Sequence, residues 1–409
     1  MRRLTDECRL CGKPKLSMIL ELGNHPIAHD FLDSSEQEEY LHPVEFCFCN
    51  NCGLLQLINP IPPEMLYANY VTLSSWKHQP HIPELIEMIE EKTTIIKTSK
   101  ILEVGSNDGI FLKALGEKGY KNLVGIEPAC DAQESARQKG VKTIPAYFNR
   151  KTAEDFVKNY GKCDFFIARQ MLEHIEDIKE FKESMRIVLE VGAFVLFEVP
   201  NFQCCLDNFD YTIWEEHANY FILETLNYFL LKAGIKIIHS ETILFSGEAL
   251  IVVGEYIGDS AHFLSFDYMG KLKDKVFNYQ DQWLKFRSEF IQYLKNHKQK
   301  GDKIAVYGAG SRLCSLINFI GLGPYIEFVV DDQPQKQGKY LPGSKLSILP
   351  SDELNEKSID ICLLAVNTEC EDKVMAKHKD FKKRGGSFIS VLPPSDRLPA
   401  FWNQILASR

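Results

Sequence analysis

Long uninterrupted hydrophobic runs are missing from this chain of 409 residues. A membrane-spanning helix needs about 20 consecutive apolar residues, and no run approaching that length occurs, so we expect no membrane span. Residues 1–10 are polar and charged and lack the apolar core of a secretory signal. A cytoplasmic protein is therefore expected, in which cysteines serve as thiols or metal ligands rather than in disulfides.

Positively charged residues are fewer than negatively charged ones. Lys and Arg number 47 against 56 Asp and Glu, which gives a formal net charge of −9 and a pI near 5.7. Because binding along a nucleic acid requires a basic face that neutralises phosphates, a nucleic acid is not expected as the main ligand. Small molecules or proteins are better candidates, and the sequence leaves the oligomeric state open, a monomer included.

The remaining composition is that of an ordinary folded protein, with 45% hydrophobic and 25% charged residues. At about 100–200 residues per domain, the length predicts two to four domains. Motifs in three parts of the chain indicate what these domains are.

Two Cys-x-x-Cys motifs lie in the first 75 residues, and their members are Cys8, Cys11, Cys49 and Cys52. Structural zinc sites favour a closed tetrahedral shell of thiolates, and each motif bends the backbone so that two sulfurs face one ion. The motifs therefore predict a structural zinc site that staples a small lobe. Buried or redox-active thiols are the alternative, and Cys47 is expected to point away. A catalytic zinc is disfavoured because four cysteines leave no position for water.

The central part begins with a strand at residues 100–104, followed by a glycine-rich turn and a helix. Strand, turn and helix form the first unit of a nucleotide-binding α/β sheet. Gly105 and Gly109 allow a tight turn and a close approach to a ligand. A second strand at 122–126 ends in Glu127, where an acid can accept the ribose hydroxyls of an adenosine. The alternative for Glu127 is a solvated strand end.

Two further strands are predicted at residues 163–168 and 192–200. Ligands of open α/β sheets bind beyond the carboxyl ends of the strands. The residues that this rule places near a ligand are Gly105, Asp108, Glu127, Gln170 and His174. For His174 the alternative is a surface helix residue paired with Glu173 or Glu176.

Segment 214–221 contains Trp214, Glu216 and His217 ahead of an aromatic pair. A neutral imidazole beside carboxylates is suited to proton transfer near pH 7. The alternative is the start of an amphipathic helix with exposed glutamates and core aromatics.

The C-terminal part opens with a charged helical stretch at residues 271–300. Strand patterns at 303–307, 326–330 and 359–365, the first followed by a glycine-rich turn, predict a second Rossmann-like sheet. Its candidate substrate contacts are Gly308, Ser311 and Lys336. The alternative for these three residues is a role in turn geometry and solubility.

Together these motifs resemble those of the sugar C-methyltransferases that act on nucleotide-linked 4-keto deoxysugars. The resemblance covers nearly the whole chain. It rests on the two cysteine motifs, on residues 104–109, 125–128 and 331–343, and on Glu216-His217 followed by Tyr220-Phe221.

The resemblance implies an α/β protein of three domains. They are a zinc-binding lobe at residues 1–75, a class I S-adenosylmethionine-dependent methyltransferase domain at 76–265 and a Rossmann-like domain at 266–409. It also implies S-adenosylmethionine and a structural zinc ion as cofactors. The implied reaction is C3-methylation of a nucleotide-linked 4-keto-6-deoxysugar in branched deoxysugar biosynthesis.

Particular residues acquire roles from the same resemblance. His217, assisted by Glu216, would remove the proton alpha to the ketone, and His174 and Tyr70 would donate to the developing oxyanion. Tyr67 is the alternative to Tyr70. The cofactor loop would consist of Gly105, Asn107, Asp108 and Gly109, with Glu127 on the ribose and Gln170 beside them.

The chain departs from the family pattern at three places. Trp214, a substrate-site candidate, replaces a tyrosine and can only donate a hydrogen bond. The loop at residues 245–249 replaces a His-Gly-Gly-Ser type loop, and residues 71–75 replace a tyrosine-rich segment. Competing functions are O- or N-methylation, an NAD-linked oxidoreductase or epimerase built on the turn at 308–310, and a non-catalytic scaffold.

Overall fold

The computed structural model of the protein describes residues 7–66, 79–258 and 267–407. Within these ranges the strands form three sheets, one in each predicted part of the chain. The predicted boundaries near residues 75 and 265 fall outside the described residues and stay predictions.

The N-terminal lobe is built on an antiparallel sheet. Its strands are β1 (Leu16–Pro26), β2 (Leu41–Cys49) and β3 (Leu55–Leu57), and a one-turn helix α1 (Pro63–Leu66) follows. Val44, Phe46 and Phe48 recur at every second position of β2 and lie buried, as expected for a strand with one face on a core. The fourth strand of this sheet, Asn219–Tyr220, comes from the central part of the chain and pairs with β3.

The central part contains a seven-stranded sheet. Its strands are β4 (Lys100–Val104), β5 (Asn122–Ile126), β6 (Thr143–Ile144), β7 (Cys163–Arg169), β8 (Leu189–Pro200), β10 (Ile235–Ile243) and β11 (Ala249–Tyr256), while β9 is the Asn219–Tyr220 strand of the N-terminal sheet. The helices are α2 (Ile82–Lys92), α3 (Ile110–Glu117), α4 (Cys130–Gln138), α5 (Arg150–Tyr160), α6 (Ile178–Val188), α7 (Phe202–Asn208) and α8 (Leu223–Lys232). The four strands predicted in this part are thereby confirmed.

The strand order is β10-β11-β8-β7-β4-β5-β6. Strand β11 is antiparallel to both of its neighbours, and the remaining pairs are parallel. Successive residues of β7 face opposite layers, since Phe165 packs in the core with α2 and α3 and Phe166 in the core with α5, α6 and α8. The winding direction reverses between β4 and β7, which is where open α/β sheets bind ligands.

A helix of 31 residues, α9 (Met269–Gln299), leads into the C-terminal part and confirms the predicted helical stretch. Its buried residues recur at three- and four-residue intervals, as an amphipathic helix requires. They are Leu272, Val276, Tyr279, Trp283, Phe286, Phe290 and Leu294.

The C-terminal part contains a parallel five-stranded sheet of order β14-β13-β12-β15-β16, so the predicted Rossmann-like sheet is confirmed. The strands are β12 (Ile304–Tyr307), β13 (Phe328–Val330), β14 (Ile348–Leu349), β15 (Ile361–Leu364) and β16 (Ser387–Ser390). The helices are α10 (Ser311–Ile320), α11 (Glu353–Glu356), α12 (Thr368–Lys377), α13 (Lys379–Lys383) and α14 (Ala400–Ala407). In the described part of the chain, every helix is too short or too polar to serve as a membrane span.

Candidate active site and zinc cluster

The four cysteines of the two Cys-x-x-Cys motifs converge in the N-terminal lobe. The sulfurs of Cys8 and Cys52 are 3.5 Å apart, those of Cys11 and Cys49 are 3.6 Å apart, and all four lie within 4.8 Å of one another. Zinc–sulfur bonds of about 2.3 Å give a tetrahedron with edges of about 3.8 Å, so this donor set fits a zinc ion with no fifth position for water.

Cys47 lies outside this cluster, as predicted. Its thiol donates to the sulfur of Met18 at 3.7 Å. The lobe therefore contains a buried cysteine that differs from the four clustered ones in its surroundings, and it offers a matched control for them.

A cavity of about 1980 Å³ opens where the three parts of the protein meet. The turns after β4, β5 and β7 line it from the central sheet, and the turns after β12, β13 and β15 line it from the C-terminal sheet. The N-terminal lobe adds residues 29–31. The parallel strands of both sheets thus present their carboxyl ends to one space.

Gly105 and Glu127 shape the central edge of the cavity. Gly105 has a φ of +68°, and a Cβ there would lie 2.9 Å from the Met171 side chain, so this position requires glycine. Glu127 accepts hydrogen bonds from the N–H groups of Asn107 at 3.0 Å and Ala129 at 2.9 Å. It is buried, and burial raises its pKa. Its carboxylate retains lone pairs for ribose hydroxyls, which fits an adenosine cofactor and not a solvated strand end.

The other predicted cofactor residues divide into two groups. Asn107 and Gln170 line the cavity with Gly105 and Glu127, whereas Asp108 and Gly109 do not. Asp108 forms an ion pair with Lys139, whose ammonium also donates to the Asp108 carbonyl at 2.9 Å. Gly109 is the residue that precedes α3. These two residues therefore shape the loop rather than face the ligand space.

Sequence reasoning missed a buried ion pair beneath the edge of the central sheet that carries Gly105 and Glu127, which we call the cofactor edge. Glu198, fully buried in β8, accepts from Arg169 Nε at 2.7 Å and from the Gln170 amide at 3.1 Å. Although burial alone would raise the pKa of Glu198, Arg169 and His81 hold it at about 2. The pair fixes Gln170 at the end of β7. The available signal was a charged residue directly after the apolar run of each strand.

Two histidines meet at the floor of the cavity. The rings of His174 and His217 are perpendicular, with centroids 4.8 Å apart, and Trp214 lies 4.5 Å from the His217 ring. His174 Nδ1 lies 3.0 Å from the Glu216 carbonyl, and because a carbonyl only accepts, this nitrogen carries the proton. His174 Nε2 is consequently an acceptor in the neutral ring. The predicted role of His174 as a donor to an oxyanion is corrected on this ground.

Burial keeps both imidazoles neutral. It lowers the pKa of His174 to about 4, and burial together with the neighbouring His174 lowers the pKa of His217 well below its ordinary value. A neutral imidazole can accept a proton at pH 7. His174 is thus a cavity residue in a short 3-10 helix, Leu172–His174, rather than a surface residue.

Glu173 is a second residue that the sequence did not single out. Its side chain is buried, and its Oε2 has no hydrogen-bond partner among the described residues. Its Oε1 lies 3.9 Å from His174 Nε2, and burial raises its pKa well above the ordinary value. The signal was its position next to His174.

The structure does not show the Glu216 carboxyl assisting His217, as the resemblance implies. Within the described ranges its carboxyl makes no hydrogen bond with His217, and its carbonyl orients His174 instead. Burial raises the pKa of the carboxyl to about 8. The amphipathic-helix alternative is wrong, because residues 214–218 turn into β9. Tyr70 and Tyr67 lie outside the described residues.

The three candidates of the C-terminal sheet line the same cavity. A Cβ at Gly308, which has a φ of +104°, would lie 2.8 Å from the Ala365 oxygen. Lys336 donates to the Ala309 carbonyl at 2.8 Å, and Ser311 begins α10. Trp214 lines the cavity as well, so the structure brings the predicted substrate contacts together.

Comparisons with known proteins cover almost the whole chain. Family models match a zinc binding domain at residues 8–67, a methyltransferase domain at 71–240 and a C-methyltransferase C-terminal domain at 270–393. The C-methyltransferase NovU of Streptomyces niveus is 27% identical over 407 residues, which is 96% of each chain.

Other similarities are confined to the central part. The ubiquinone biosynthesis O-methyltransferase of Actinobacillus pleuropneumoniae is 26% identical over 125 residues, which is 29% of this chain and 53% of that protein. A solved S-adenosylmethionine-dependent methyltransferase of Methanosarcina mazei aligns at 15% identity and a TM-score of 0.33, covering 42% of this chain and 97% of that one.

The predicted cofactors are confirmed by these matches together with the geometry of the four cysteines. Over nearly its whole length the chain is similar to S-adenosylmethionine-dependent C-methyltransferases, with a zinc-binding domain, a methyltransferase domain and a C-methyltransferase C-terminal domain matched in that order.

Proposed function

We propose that the protein methylates carbon 3 of a nucleotide-linked 4-keto-6-deoxysugar, with His217 as the base. The observation that carries this proposal is the pair of neutral imidazoles, half-buried His174 and buried His217, in the cavity that the central and C-terminal sheets share. An oxygen or nitrogen acceptor is already nucleophilic and needs only to be oriented. The carbon next to a ketone becomes nucleophilic only after a base removes its proton.

The size of the cavity supports two ligands of nucleotide size. Its volume of about 1980 Å³ exceeds the roughly 300–1,000 Å³ of a typical small-molecule site. Glu127 fits the ribose of the cofactor at one sheet edge, and the edge with Gly308, Ser311 and Lys336 is available to the nucleotide of the substrate. The choice of carbon and the deoxysugar pathway follow from the sequence resemblance, and the cytoplasmic location stays a prediction.

In the proposed reaction, His217 takes the proton from the carbon next to the ketone. The electron pair of that C–H bond moves toward the carbonyl oxygen and leaves an enolate. Trp214 has an indole N–H as its one polar group and is our candidate donor to the oxyanion. A well-placed donor of this kind contributes about 3–4 kcal/mol.

Bound S-adenosylmethionine supplies the methyl group as an electrophile on a sulfonium. The enolate carbon would accept this methyl group, and the electron pair of the broken C–S bond would return to sulfur. The ketone is restored, and His217 releases its proton to solvent. His174, whose N–H is held by the Glu216 carbonyl, keeps its acceptor nitrogen beside His217 and Glu173.

Deuterium exchange tests this proposal against O- and N-methylation. We expect the protein in D₂O to exchange the proton alpha to the ketone of a nucleotide-linked 4-keto-6-deoxysugar before methyl transfer is complete. His217→Asn should abolish the exchange, and His239→Asn, at a partly exposed position on β10, should leave it unchanged. Methylation without any exchangeable alpha proton would favour an oxygen or nitrogen acceptor. The oxidoreductase and scaffold alternatives gain no support from the family matches.

A further inference from the structure

Arg9 lies inside the first Cys-x-x-Cys motif, and its guanidinium reaches out of the zinc cluster. Nη1 donates to the carbonyl of Leu57 at 2.6 Å and to that of Ala218 at 3.3 Å, and Nη2 donates to the Ile58 carbonyl at 3.1 Å. Ala218 directly follows His217. One side chain therefore connects the cysteine cluster, the end of β3 and the segment that carries the proposed base.

The backbone around Arg9 makes the same connection. Its N–H donates at 3.0 Å to the side chain of Gln56, which is fully buried. Gln56 pairs with Asn219 where β3 meets β9. The Leu57 N–H donates to the Ala218 carbonyl at 3.1 Å, so that carbonyl receives two donors from the N-terminal lobe.

The connection continues to the second histidine. The Asn219 amide donates to the Ile175 carbonyl at 2.7 Å, and Ile175 follows His174. Strand β9, which has only two residues, thus lies between the segments of both histidines. So short a strand depends on its neighbours for order, because isolated strand pairs are marginal in water.

We infer that Arg9 is a positioning residue that couples the zinc cluster to the placement of His217. This inference rests on the proposed function of His217 and deepens it. Only the planar fork of an arginine can serve three carbonyls in fixed directions, since a lysine ammonium is a compact charge on a flexible stem. A bound zinc ion would fix the conformation of the turn from Cys8 to Cys11. The hydrogen bond from Arg9 to the Ala218 carbonyl would then restrain the backbone next to His217.

The test compares Arg9→Lys with Arg137→Lys, a control at an exposed arginine paired with Glu134. Zinc content and S-adenosylmethionine affinity are measured first, and both variants are expected to match the unchanged protein. Exchange of the alpha proton should fall at least about tenfold in Arg9→Lys, as expected when a base is misplaced, and not in the control.

A second readout is independent of the sugar. A protonated imidazole in ring contact quenches indole emission, so Trp214 fluorescence reports the protonation of His217, with Trp214→Phe to assign the signal. Besides Trp214, the titratable groups near His217 are His174, Glu173 and Tyr220, and Glu216 precedes His217 in the chain. None of them is altered in Arg9→Lys, and we expect the quenching midpoint to move toward that of an exposed histidine.

Three outcomes would overturn the inference or separate it from the proposed function. An Arg9→Lys protein with unchanged exchange and unchanged Trp214 titration contradicts it. Loss of zinc or of the fold in Arg9→Lys also contradicts it, since Arg9 would then serve only the lobe. If the unchanged protein exchanges no proton, the proposed function fails, and the Trp214 titration alone decides the coupling.

Discussion

His217 is neutral because burial lowers the pKa of its imidazole. The lowered pKa of a buried histidine means that its base form persists to lower pH than in an exposed one. We therefore expect the rate of alpha-proton exchange to stay level through about pH 6.5, the ordinary pKa of histidine, and to fall only in more acidic solution. Exchange measured by NMR at a series of pH values checks this, and an inflection near the ordinary value would contradict it.

The same burial affects stability. Because the unfolded chain binds protons at these histidines below about pH 6.5 while the folded chain resists them to lower pH, their contribution to the free energy of unfolding falls as the solution is acidified through that window.

Glu127 is the residue on which cofactor affinity should depend most. Glu127→Ala removes the acceptor for ribose hydroxyls, and hydrogen bonds to a charged group are worth about 1.5–3 kcal/mol, so affinity should fall at least about tenfold. Asp108→Asn should cost less, because Asp108 faces Lys139 and not the cavity. Isothermal titration with S-adenosylmethionine compares them, and an equal loss in both variants would contradict the assignment.

At the scale of elements, the Arg169–Glu198 pair joins β7 to β8 beneath the cofactor edge. Arg169→Met leaves the Glu198 carboxylate buried without its cation, which should cost about 3–5 kcal/mol of unfolding free energy. The double variant Arg169→Met, Glu198→Gln removes that charge and should be the more stable of the two. Urea unfolding distinguishes them. A single variant as stable as the unchanged protein would show that the carboxylate is not held by Arg169.

We expect zinc removal to destabilise the N-terminal sheet, which contains β9. We expect Cys11→Ala to lose the ion, lower the thermal midpoint and reduce alpha-proton exchange, because metal binding and folding of the lobe are coupled. Cys47→Ala is the matched control, since its thiol faces Met18 and not the cluster. Zinc content and thermal unfolding are the measurements. Equal zinc content in both variants would argue against the four-cysteine site.

Elements with local signals could be predicted from the sequence, and elements made by distant contacts could not. The turn after β4 and the acid after β5 follow from spacing within about 30 residues of chain, as in other mononucleotide-binding units. The bond from Arg9 to the Ala218 carbonyl joins residues 209 positions apart, and β9 has only two residues. Neither leaves a periodic pattern. The orientation of His174 depended on a backbone carbonyl, which residue identities do not reveal.

At the scale of the whole molecule, the three parts enclose one reaction space. The central sheet offers the cofactor edge, the C-terminal sheet faces it with a second carboxyl edge, and the N-terminal lobe supplies the sheet that holds the segment of His217. This division accounts for the presence of a second sheet of parallel strands beside the methyltransferase domain. In the proposed account the lobe with the cysteine cluster acts on catalysis through strand pairing, because a zinc ion held by four cysteines has no position open for chemistry.

The most direct test locates the transferred methyl group. The zinc-replete protein is incubated with a nucleotide-linked 4-keto-6-deoxysugar and S-adenosylmethionine carrying a ¹³C-labelled methyl group, and the product is analysed by NMR. We predict a labelled methyl bonded to the carbon next to the ketone, absent with His217→Asn and retained with His239→Asn. A labelled methyl on oxygen or nitrogen, or unimpaired transfer by His217→Asn, would contradict the assignment of His217 as the base of a C-methyltransferase.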